Sequence, residues 1–355
     1  MNQLARQLQL QEPRIWSSVI RGLLLPLAEN NIDTKALLNA HGIDEADLDK
    51  PHGELPLKKY LKLLEAAAVE ANDPLLGARL ARSAGPETLG AIGFLFLSSR
   101  TLAEAISNLH IYLNLLQDAT HSQFTHNADE ISYIYQLYQT SDLDCRQDVE
   151  FSMALTCRLI RMYGGADVEI SSVTFRHSPT VPEFEYQRLF KAPVYFEEEM
   201  NRVTIPSQHG QIRGKVLDHS LSRILQDFLD EELQQRNRFQ SFTDQVSRIL
   251  YQGAITPPIT AQKVAKLIGV SDATFYRRLK TEDTKFGELC DRRNFDLAKS
   301  YLSQSSLSIT EIAHMVGFSE SASFTRAFAR WSSGKTPSEF RKARTAKKAQ
   351  KKAPQ

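Results

Sequence analysis

The stretch that decides the fold is Ile309-Thr-Glu-Ile-Ala-His-Met-Val-Gly-Phe-Ser-Glu-Ser-Ala-Ser-Phe-Thr-Arg-Ala-Phe-Ala-Arg-Trp331, which has the pattern of two short helices joined by a tight turn. Ser308 and Glu311 have the spacing of a capping box, in which each side chain accepts a hydrogen bond from a backbone amide at the helix start. An apolar stripe follows at helical spacing, made of Ile309, Ile312, Ala313 and Val316. Gly317 ends this stripe, because glycine readily adopts the left-handed backbone that reverses the chain.

The second helix of this stretch is predicted to begin at Ser319, a residue type that caps helix N-termini. Phe324, Ala327 and Phe328 then point inward, since residues three and four apart share one helix face. The outer face carries Ser321, Ala322, Thr325 and Arg326. A short polar face with an arginine suits a helix that reads bases in the DNA major groove. Helical hairpins of this shape also occur in protein cores, so this segment alone leaves both interpretations open.

The composition favours a polyanionic partner for the C-terminal part of the chain. The 355 residues are 42% hydrophobic, which is enough apolar material for the cores of two or three domains. The net charge is only +1, but residues 256–355 contain 19 Lys and Arg against 9 Asp and Glu, a net charge of +10. The preceding residues therefore carry −9, and the basic third of the chain is the part expected to bind a polyanion.

The cysteines and the apolar stretches indicate the compartment. Cys145, Cys157 and Cys290 are far apart and have no disulfide or metal-binding spacing, which is typical of a reducing environment. We therefore expect no metal site and no cofactor. The first residues lack the apolar run of a signal peptide, and Leu89–Leu97 is too short to cross a membrane. A cytoplasmic protein without a membrane partner is expected.

A second copy of the opening pattern occurs upstream. Val264-Ala-Lys-Leu-Ile-Gly-Val-Ser271 parallels Ile312-Ala-His-Met-Val-Gly-Phe-Ser319, and the Phe275-x-Arg277 pair parallels Phe324-x-Arg326. Two copies of one helix-turn-helix in a basic segment are difficult to explain as core packing and favour DNA binding. A long helix predicted over 286–302 would hold the two units apart. Both reading helices could then enter successive major grooves about 34 Å apart, at a direct-repeat or asymmetric site.

The N-terminal part has a mixed pattern that predicts an α+β fold. Helices are predicted over 15–30, with a kink or break at Pro26, and over 33–40, 57–71, 74–83 and 101–116. Strands are predicted over 123–125 and 131–137 as a hairpin, and over 168–175, 194–196 and 202–205, with helices over 149–163 and 182–191. A helical layer beside a small mixed sheet can enclose a ligand pocket.

The helix predicted over 216–235 carries an apolar stripe made of Leu217, Leu221, Ile224 and Phe228. Spacings of four, three and four residues are typical of a coiled-coil seam. The stripe could join two copies in a homodimer or pack on its own domain, and two heptads do not decide between these alternatives.

The region 259–341 resembles a known family. Gly317-Phe318, Phe324-x-Arg326-x-Phe328, Gly334 and Thr336-Pro337-Ser338-x-Phe340-Arg341 are similar to the AraC/XylS family of bacterial transcription factors. This resemblance implies that both units bind DNA and that the outer residues of each second helix contact bases. The residues at those positions are Ala273, Tyr276 and Arg277 in the first unit, and Ser321, Ala322, Thr325 and Arg326 in the second.

We expect Arg277 and Arg326 to read bases, and Arg278, Lys280 and Arg330 to contact phosphates. Lys347, Lys348, Lys351 and Lys352 form a basic end that either contacts phosphates or is a solvated tail. One departure from the family pattern is Trp331-Ser-Ser-Gly334, which is one residue longer than the usual connection. The backbone behind the second reading helix is therefore expected to differ.

The N-terminal part resembles, more weakly, the subgroup of this family with an arabinose-binding-type domain. The similar segments are Leu89-Gly-Ala-Ile-Gly-Phe94, Thr101-Leu-Ala-Glu-Ala105, Val173-x-Phe175-x-His177 and Pro193-Val-Tyr-Phe196. A small-molecule effector, a homodimer and contact with RNA polymerase are expected, and the resemblance does not identify a sugar as the ligand. His177 could bind that ligand or be paired by a local hydrogen bond, as buried polar groups generally are.

Enzyme motifs are missing from the sequence. It contains no Gly-x-Gly-x-x-Gly, no phosphate loop, no Gly-x-Ser-x-Gly and no His-Glu-x-x-His. We therefore expect a transcription regulator that acts as an activator, rather than an enzyme. Its predicted parts are an effector-sensing and oligomerisation domain over 1–240, a double helix-turn-helix domain over 241–345 and a basic tail over 346–355.

Overall fold

The computed structural model describes residues 13–50, 53–138, 143–166, 168–214, 219–239, 241–251, 259–304 and 307–342. The predicted tail, the first twelve residues and Leu217 lie outside these ranges. Two compact units form, one made of the residues up to Phe175 and from Pro179 to Arg236, the other of Arg176–Ser178 and the residues from Asn237.

The first unit begins with helices that surround an apolar core. Its first helices are α1 (Ser17–Glu29), α2 (Thr34–Ala40), α3 (Glu45–Leu48), α4 (Leu57–Glu70), α5 (Leu76–Leu80), α6 (Ala91–Ser98) and α7 (Leu102–Leu116). Asp33 caps α2 by accepting from the amide of Ala36 at 3.0 Å, and the Thr101 hydroxyl accepts from the amide of Glu104 at 3.2 Å to cap α7. The helical part of the α+β prediction is confirmed.

Two details of this layer correct the sequence prediction. Ile15 and Trp16 belong to strand β1 (Arg14–Trp16), which pairs antiparallel with β2 (Glu54–Pro56), so the first helix begins only at Ser17. Pro26 does not break α1, because it lies three residues before the helix end and removes only one backbone hydrogen bond.

A five-stranded mixed sheet completes the first unit. Its strands are β3 (Thr120–His126), β4 (Glu130–Leu137), β5 (Ser172–Thr174), β6 (Val194–Tyr195) and β7 (Arg202–Pro206), in the order β3-β4-β7-β5-β6. Only β5 and β6 pair in parallel. The Asn127 side chain closes the β3–β4 hairpin by accepting from the amides of Asp129 and Glu130, at 2.9 Å each.

One strand of the sheet is buried on both faces, and another corrects the sequence prediction. Residues 131–135 of β4 are all buried. The strand predicted over 168–175 is reduced to β5, since only Ser172–Thr174 has strand partners on either side.

The helix α8 (Arg146–Gly164) packs against α4, α5, α6 and β4, and carries two buried carboxyl groups. Tyr135 donates a hydrogen bond to Asp148 at 2.7 Å, and Tyr186 donates one to Glu150 at 3.1 Å. Burial raises the pKa of Asp148 to about 6 and that of Glu150 to about 8. Glu150 is therefore largely protonated at neutral pH, which makes its burial tolerable.

The last helix of the first unit is α10 (His219–Phe239), which follows α9 (Glu183–Phe190) and β7. Leu229 is fully buried, and Asp230 accepts a hydrogen bond from Tyr112 at 2.7 Å. Arg236 pairs with Asp118 and donates to the carbonyl of Leu115, so this end of α10 is anchored on α7.

The second unit consists of helices packed around two separate apolar clusters. The helices are α11 (Phe242–Tyr251), α12 (Ala261–Ile268), α13 (Asp272–Thr281), α14 (Phe286–Gln304), α15 (Ile309–Met315) and α16 (Ser321–Trp331), and residues 337–342 are also helical. The first cluster contains Phe275 and Leu289, and the second contains Ala298 and Phe328. Because Leu289 and Ala298 both belong to α14, one helix joins the two clusters. The predicted all-α second domain is confirmed.

Candidate DNA-binding surface

The first helix-turn-helix consists of α12, a turn and α13. Thr260 caps α12 by accepting from the amide of Lys263 at 3.4 Å, and Ser271 caps α13 by accepting from the amide of Thr274 at 3.3 Å. Between them, Gly269 has a φ of 79° in the left-handed region, where a side chain would be strained. The chain reverses at the glycine that the sequence pattern indicated.

The second helix-turn-helix consists of α15, a turn and α16. The predicted capping box is present: the amide of Ser308 donates to Glu311 at 2.7 Å, and the amide of Glu311 donates to the Ser308 hydroxyl at 3.2 Å. Gly317 has a φ of 96° and reverses the chain. The prediction that Ser319 caps α16 is wrong. The cap position is Glu320, because this turn holds one residue more than the turn of the first helix-turn-helix. The Glu320 side chain makes no capping hydrogen bond.

Buried aromatic rings fix which face of each second helix is exposed. In α13, Phe275 is fully buried, with its ring centroid 5.6 Å from that of Phe242 and 5.6 Å from that of Phe286. In α16, Phe328 is fully buried, 5.3 Å from Phe295 and 5.6 Å from Phe340. Since these rings anchor the inner faces, the opposite faces are directed to solvent.

The outer face of α13 presents every residue that the sequence selected. The exposed residues are Ala273, Tyr276, Arg277, Arg278 and Lys280. Arg278 lies 5.3 Å from the centroid of the Phe242 ring, a cation–π contact that restricts its side chain. Within the described residues, Arg277 and Lys280 form no ion pair, so both charges are available to a polyanion.

The outer face of α16 is more constrained than the sequence suggested. Ala322 and Arg326 are exposed, whereas Ser321 and Thr325 are half-buried. The Thr325 hydroxyl donates to the carbonyl of Ser321 at 2.8 Å, so its proton is already used within the helix. Arg326 donates to the Ser323 hydroxyl at 3.1 Å, which orients the guanidinium along the helix surface.

Arg330 pairs with Asp291 of α14 at 2.9 Å, although both side chains remain substantially exposed. Sequence analysis missed Asp291 and Ser323 as neighbours of the predicted site. Ser323 could have been found, because residues three apart on a helix are neighbours. Asp291 could not, since it is 39 positions away from Arg330 and comes near it only through the fold.

The connection after α16, which the sequence shows to be one residue longer than usual, contains left-handed backbone. Ser333 has a φ of 57° and Gly334 a φ of 99°, so two successive residues adopt left-handed backbone. The amide of Gly334 donates to the carbonyl of Ala329 at 2.7 Å, and the Ser332 hydroxyl donates to the carbonyl of Lys335 at 2.6 Å. These bonds lie behind Trp331, and α16 itself is a continuous helix over Ser321–Trp331.

His177 was the one candidate ligand residue outside the second helices. It is 8% exposed, and its Nδ1 lies 3.0 Å from the carbonyl oxygen of Ser178. This contact agrees with the interpretation in which His177 is paired by a local hydrogen bond rather than bound to a ligand. In the part of the chain that the structure describes, no group of three or more His, Cys, Asp or Glu could hold a metal ion. No helix there is both long and apolar enough to cross a membrane.

Two helix-turn-helix units joined by one helix define a class of DNA-binding transcription regulators, and the family comparison agrees. Residues 32–211 match the model of the arabinose-binding domain of AraC transcription regulators, and residues 264–343 match a helix-turn-helix domain model. The first match covers just over half of the 355 residues. The chain belongs to the AraC family of transcription regulators and is a DNA-binding regulator with an effector-binding type of N-terminal domain.

Individual relatives agree with this assignment. The chain is 25% identical over 293 residues to the HTH-type transcriptional regulator VirS of Mycobacterium tuberculosis, covering 81% of this chain and 84% of VirS. It is 24% identical to the ornithine utilization regulator of Pseudomonas aeruginosa, covering 90% and 94% of the two chains. The crystal structure of the transcriptional regulator CdpR from Pseudomonas aeruginosa aligns with a TM-score of 0.44 and 20% identity, over 89% of this chain and 96% of that one. VirS and the ornithine utilization regulator are named as regulators, and together with the helix-turn-helix match they support the prediction of a transcription regulator rather than an enzyme.

Proposed function

We propose that one chain reads two successive major grooves, with α13 in the first and α16 in the second. The observation that carries this proposal is α14, a continuous helix of 19 residues whose side chains enter both apolar clusters. A helix of that length measures about 28 Å, comparable with the roughly 34 Å between successive turns of the groove. Such a strut would fix the separation of the two reading helices within one chain.

The side chains that support base reading are Arg277 and Arg326. Both are exposed on the outer faces, and arginine makes two parallel hydrogen bonds to guanine. Arg278 and Lys280 lie on α13 with Arg277 and would contact phosphates. Arg330 would also contact a phosphate, but only if it leaves Asp291 or shares its donors with it. Ala273, Tyr276, Ser321 and Ala322 would complete the contact surface, with Thr325 accepting rather than donating.

Selection of bound duplexes from a random pool tests the two-groove proposal. Two preferred elements about one helical turn apart are expected in each enriched site, because the two reading helices are joined by one strut. They should occur as a direct repeat or an asymmetric pair within the footprint of one chain. Enrichment of a single short element would contradict the proposal.

A homodimer formed through α10 is the second part of the proposal. Leu221 is 40% exposed and Ile224 is 64% exposed, although both are large and apolar and lie on one helix. Phe228, the last residue of the stripe, already packs partly against the core of its own unit. Leu221 and Ile224 are therefore the part of the stripe that a second copy would cover.

Ile224→Asp is expected to convert a dimer into a monomer at micromolar concentration, because burying a carboxylate in an apolar seam is strongly unfavourable. Sedimentation of the full-length protein measures this change. Leu25→Asp is the matched control, since Leu25 is 68% exposed on α1, outside the stripe. A wild type that sediments as a monomer, or an unchanged dimer in Ile224→Asp, would remove α10 from the subunit contact.

The remaining assignments follow from the family and are part of the same proposal. The first unit, over residues 1–240, would sense a small-molecule effector and oligomerise, and the second, over 241–345, would bind DNA. The basic end over 346–355 would add phosphate contacts at low salt. The regulator would act in the cytoplasm as an activator that contacts RNA polymerase.

A further inference from the structure

A cleft of about 720 Å³ lies in the first unit among α5, α8 and α9. This volume is within the range of small-molecule sites in proteins. Part of its wall is apolar, formed by Ala78 and Ala81 near α5, Ala154 on α8, and Leu189 and Phe190 on α9. The wall can therefore cover the hydrocarbon part of a ligand.

The polar part of the wall is strongly cationic. Among the described residues that line the cleft, the basic ones are Arg79, Arg82, Arg158, Arg161, Arg188 and Lys191, and the acidic one is Glu185. Two of these cations have carboxylate partners, since Arg188 pairs with Glu185 at 3.0 Å and Arg79 with Asp73 at 2.7 Å. Arg161 donates to the carbonyls of Phe190 and Lys191, at 2.8 and 3.1 Å. Because these acceptors are neutral, they do not compensate its positive charge. The cleft thus has a surplus of positive charge.

Arg158 and Arg82 supply charge without an internal counterion. Within the ranges that the structure describes, neither forms an ion pair with Asp or Glu. The Nε of Arg158 is buried and has no hydrogen-bond acceptor among the described residues. Leaving a buried donor unsatisfied costs about 1–3 kcal/mol, and more for a charged group. An incoming oxyanion would remove that cost, because a carboxylate or phosphate accepts the paired N–H groups of arginine.

The thiol in the cleft does not suggest covalent chemistry. Cys157 lines the cleft, but burial raises the pKa of its thiol to about 12, so the reactive thiolate is not formed at neutral pH. The cleft is suited to reversible binding.

We infer that this cleft binds a small organic anion, with its carboxylate or phosphate at Arg158 and Arg82 and its apolar part on the alanine, leucine and phenylalanine wall. This inference rests on the proposed control of the regulator by a small-molecule effector, and it specifies the chemical class of that effector. An anion bound at Arg158 and Arg82 would link α8 to the residues that follow α5, and its apolar part would contact α9.

Calorimetric titration of the full-length protein tests the site with three probes of equal chain length. Octanoate and octyl phosphate are expected to bind, and the one that binds more tightly identifies the head group. Octylamine has the same apolar tail with the opposite charge and should not bind. Arg158→Ala and Arg82→Ala are each expected to weaken binding at least tenfold, and Arg82→Ala alters an exposed side chain that the fold does not need. Arg21→Ala, on the exposed surface of α1, is the matched control.

Absence of binding by both anions, equal binding of octylamine, or unchanged affinity in both arginine variants would overturn the inference. A second measurement, DNA affinity with and without the bound anion, separates it from the proposed function. Arginine-dependent anion binding without any effect on DNA affinity would support the cleft but contradict effector control through it. An effector response that is retained when both arginines are replaced would support control and overturn the cleft.

Discussion

Replacing Arg326 by alanine is expected to weaken binding to the preferred duplex by about 5- to 150-fold, the equivalent of about 1–3 kcal/mol. The expected loss is selective, because a side chain that reads a base edge discriminates at one position of the site. Arg326 is suited to this role by its exposure on α16 and by its hydrogen bond to Ser323, which limits its conformations before DNA binds.

Affinities for the preferred duplex and for duplexes changed at single positions measure this effect at fixed salt. Arg292→Ala is the control, since Arg292 is an exposed arginine on α14, outside both reading helices. Preference at one position should flatten in Arg326→Ala and remain in the control. If binding instead weakens equally on all sequences, with a shallower dependence on salt, Arg326 contacts a phosphate and the base-reading role is wrong.

Replacing Phe328 by alanine is expected to destabilise the second helix-turn-helix by about 3–5 kcal/mol. The ring is fully buried, lies 5.8 Å from Phe324, and also contacts Phe295 and Phe340, so its removal leaves a cavity where α14 and α16 meet. Leu279, at the corresponding place in the first helix-turn-helix, belongs to a separate cluster. The first helix-turn-helix should therefore remain folded.

Hydrogen exchange measured by mass spectrometry can follow the two helix-turn-helix motifs separately in the Phe328→Ala protein. Faster exchange is expected over residues 309–331, and unchanged exchange over residues 261–281. Fluorescence of Trp331 in a Trp16→Phe background gives the stability of the second helix-turn-helix. Phe328→Leu, which retains most of the volume, is the milder control. Equal loss of protection from hydrogen exchange in both helix-turn-helix motifs would mean that α14 couples them into one cooperative domain.

Sequence patterns predicted those parts of the fold that depend on residues a few positions apart. The capping box of Ser308 and Glu311 and the reversals at Gly269 and Gly317 are local, because helix caps and turns are satisfied within one or two turns of backbone. The exposed faces of α13 and α16 followed from the spacing of Phe275, Phe324 and Phe328. A local error, the cap predicted at Ser319, arose because a repeat with one added residue need not keep its cap position.

Features that join distant parts of the chain were not predictable in the same way. The Arg330–Asp291 pair and the shortened strand β5 depend on tertiary contacts. The cationic cleft brings together Arg79, Arg158 and Lys191, which are spread over more than a hundred positions. No periodicity or motif connects these residues, so their shared site became visible only in the folded chain.

The measurement that tests the central claim most directly is random-pool selection performed in parallel with wild type, Arg277→Ala and Arg326→Ala. The wild-type site should contain two elements about one helical turn apart. Each variant should lose preference within one element and keep the other, because each arginine belongs to a different reading helix. If both variants lose the same element, or if the wild type enriches none, the two helix-turn-helix units do not read DNA as a pair.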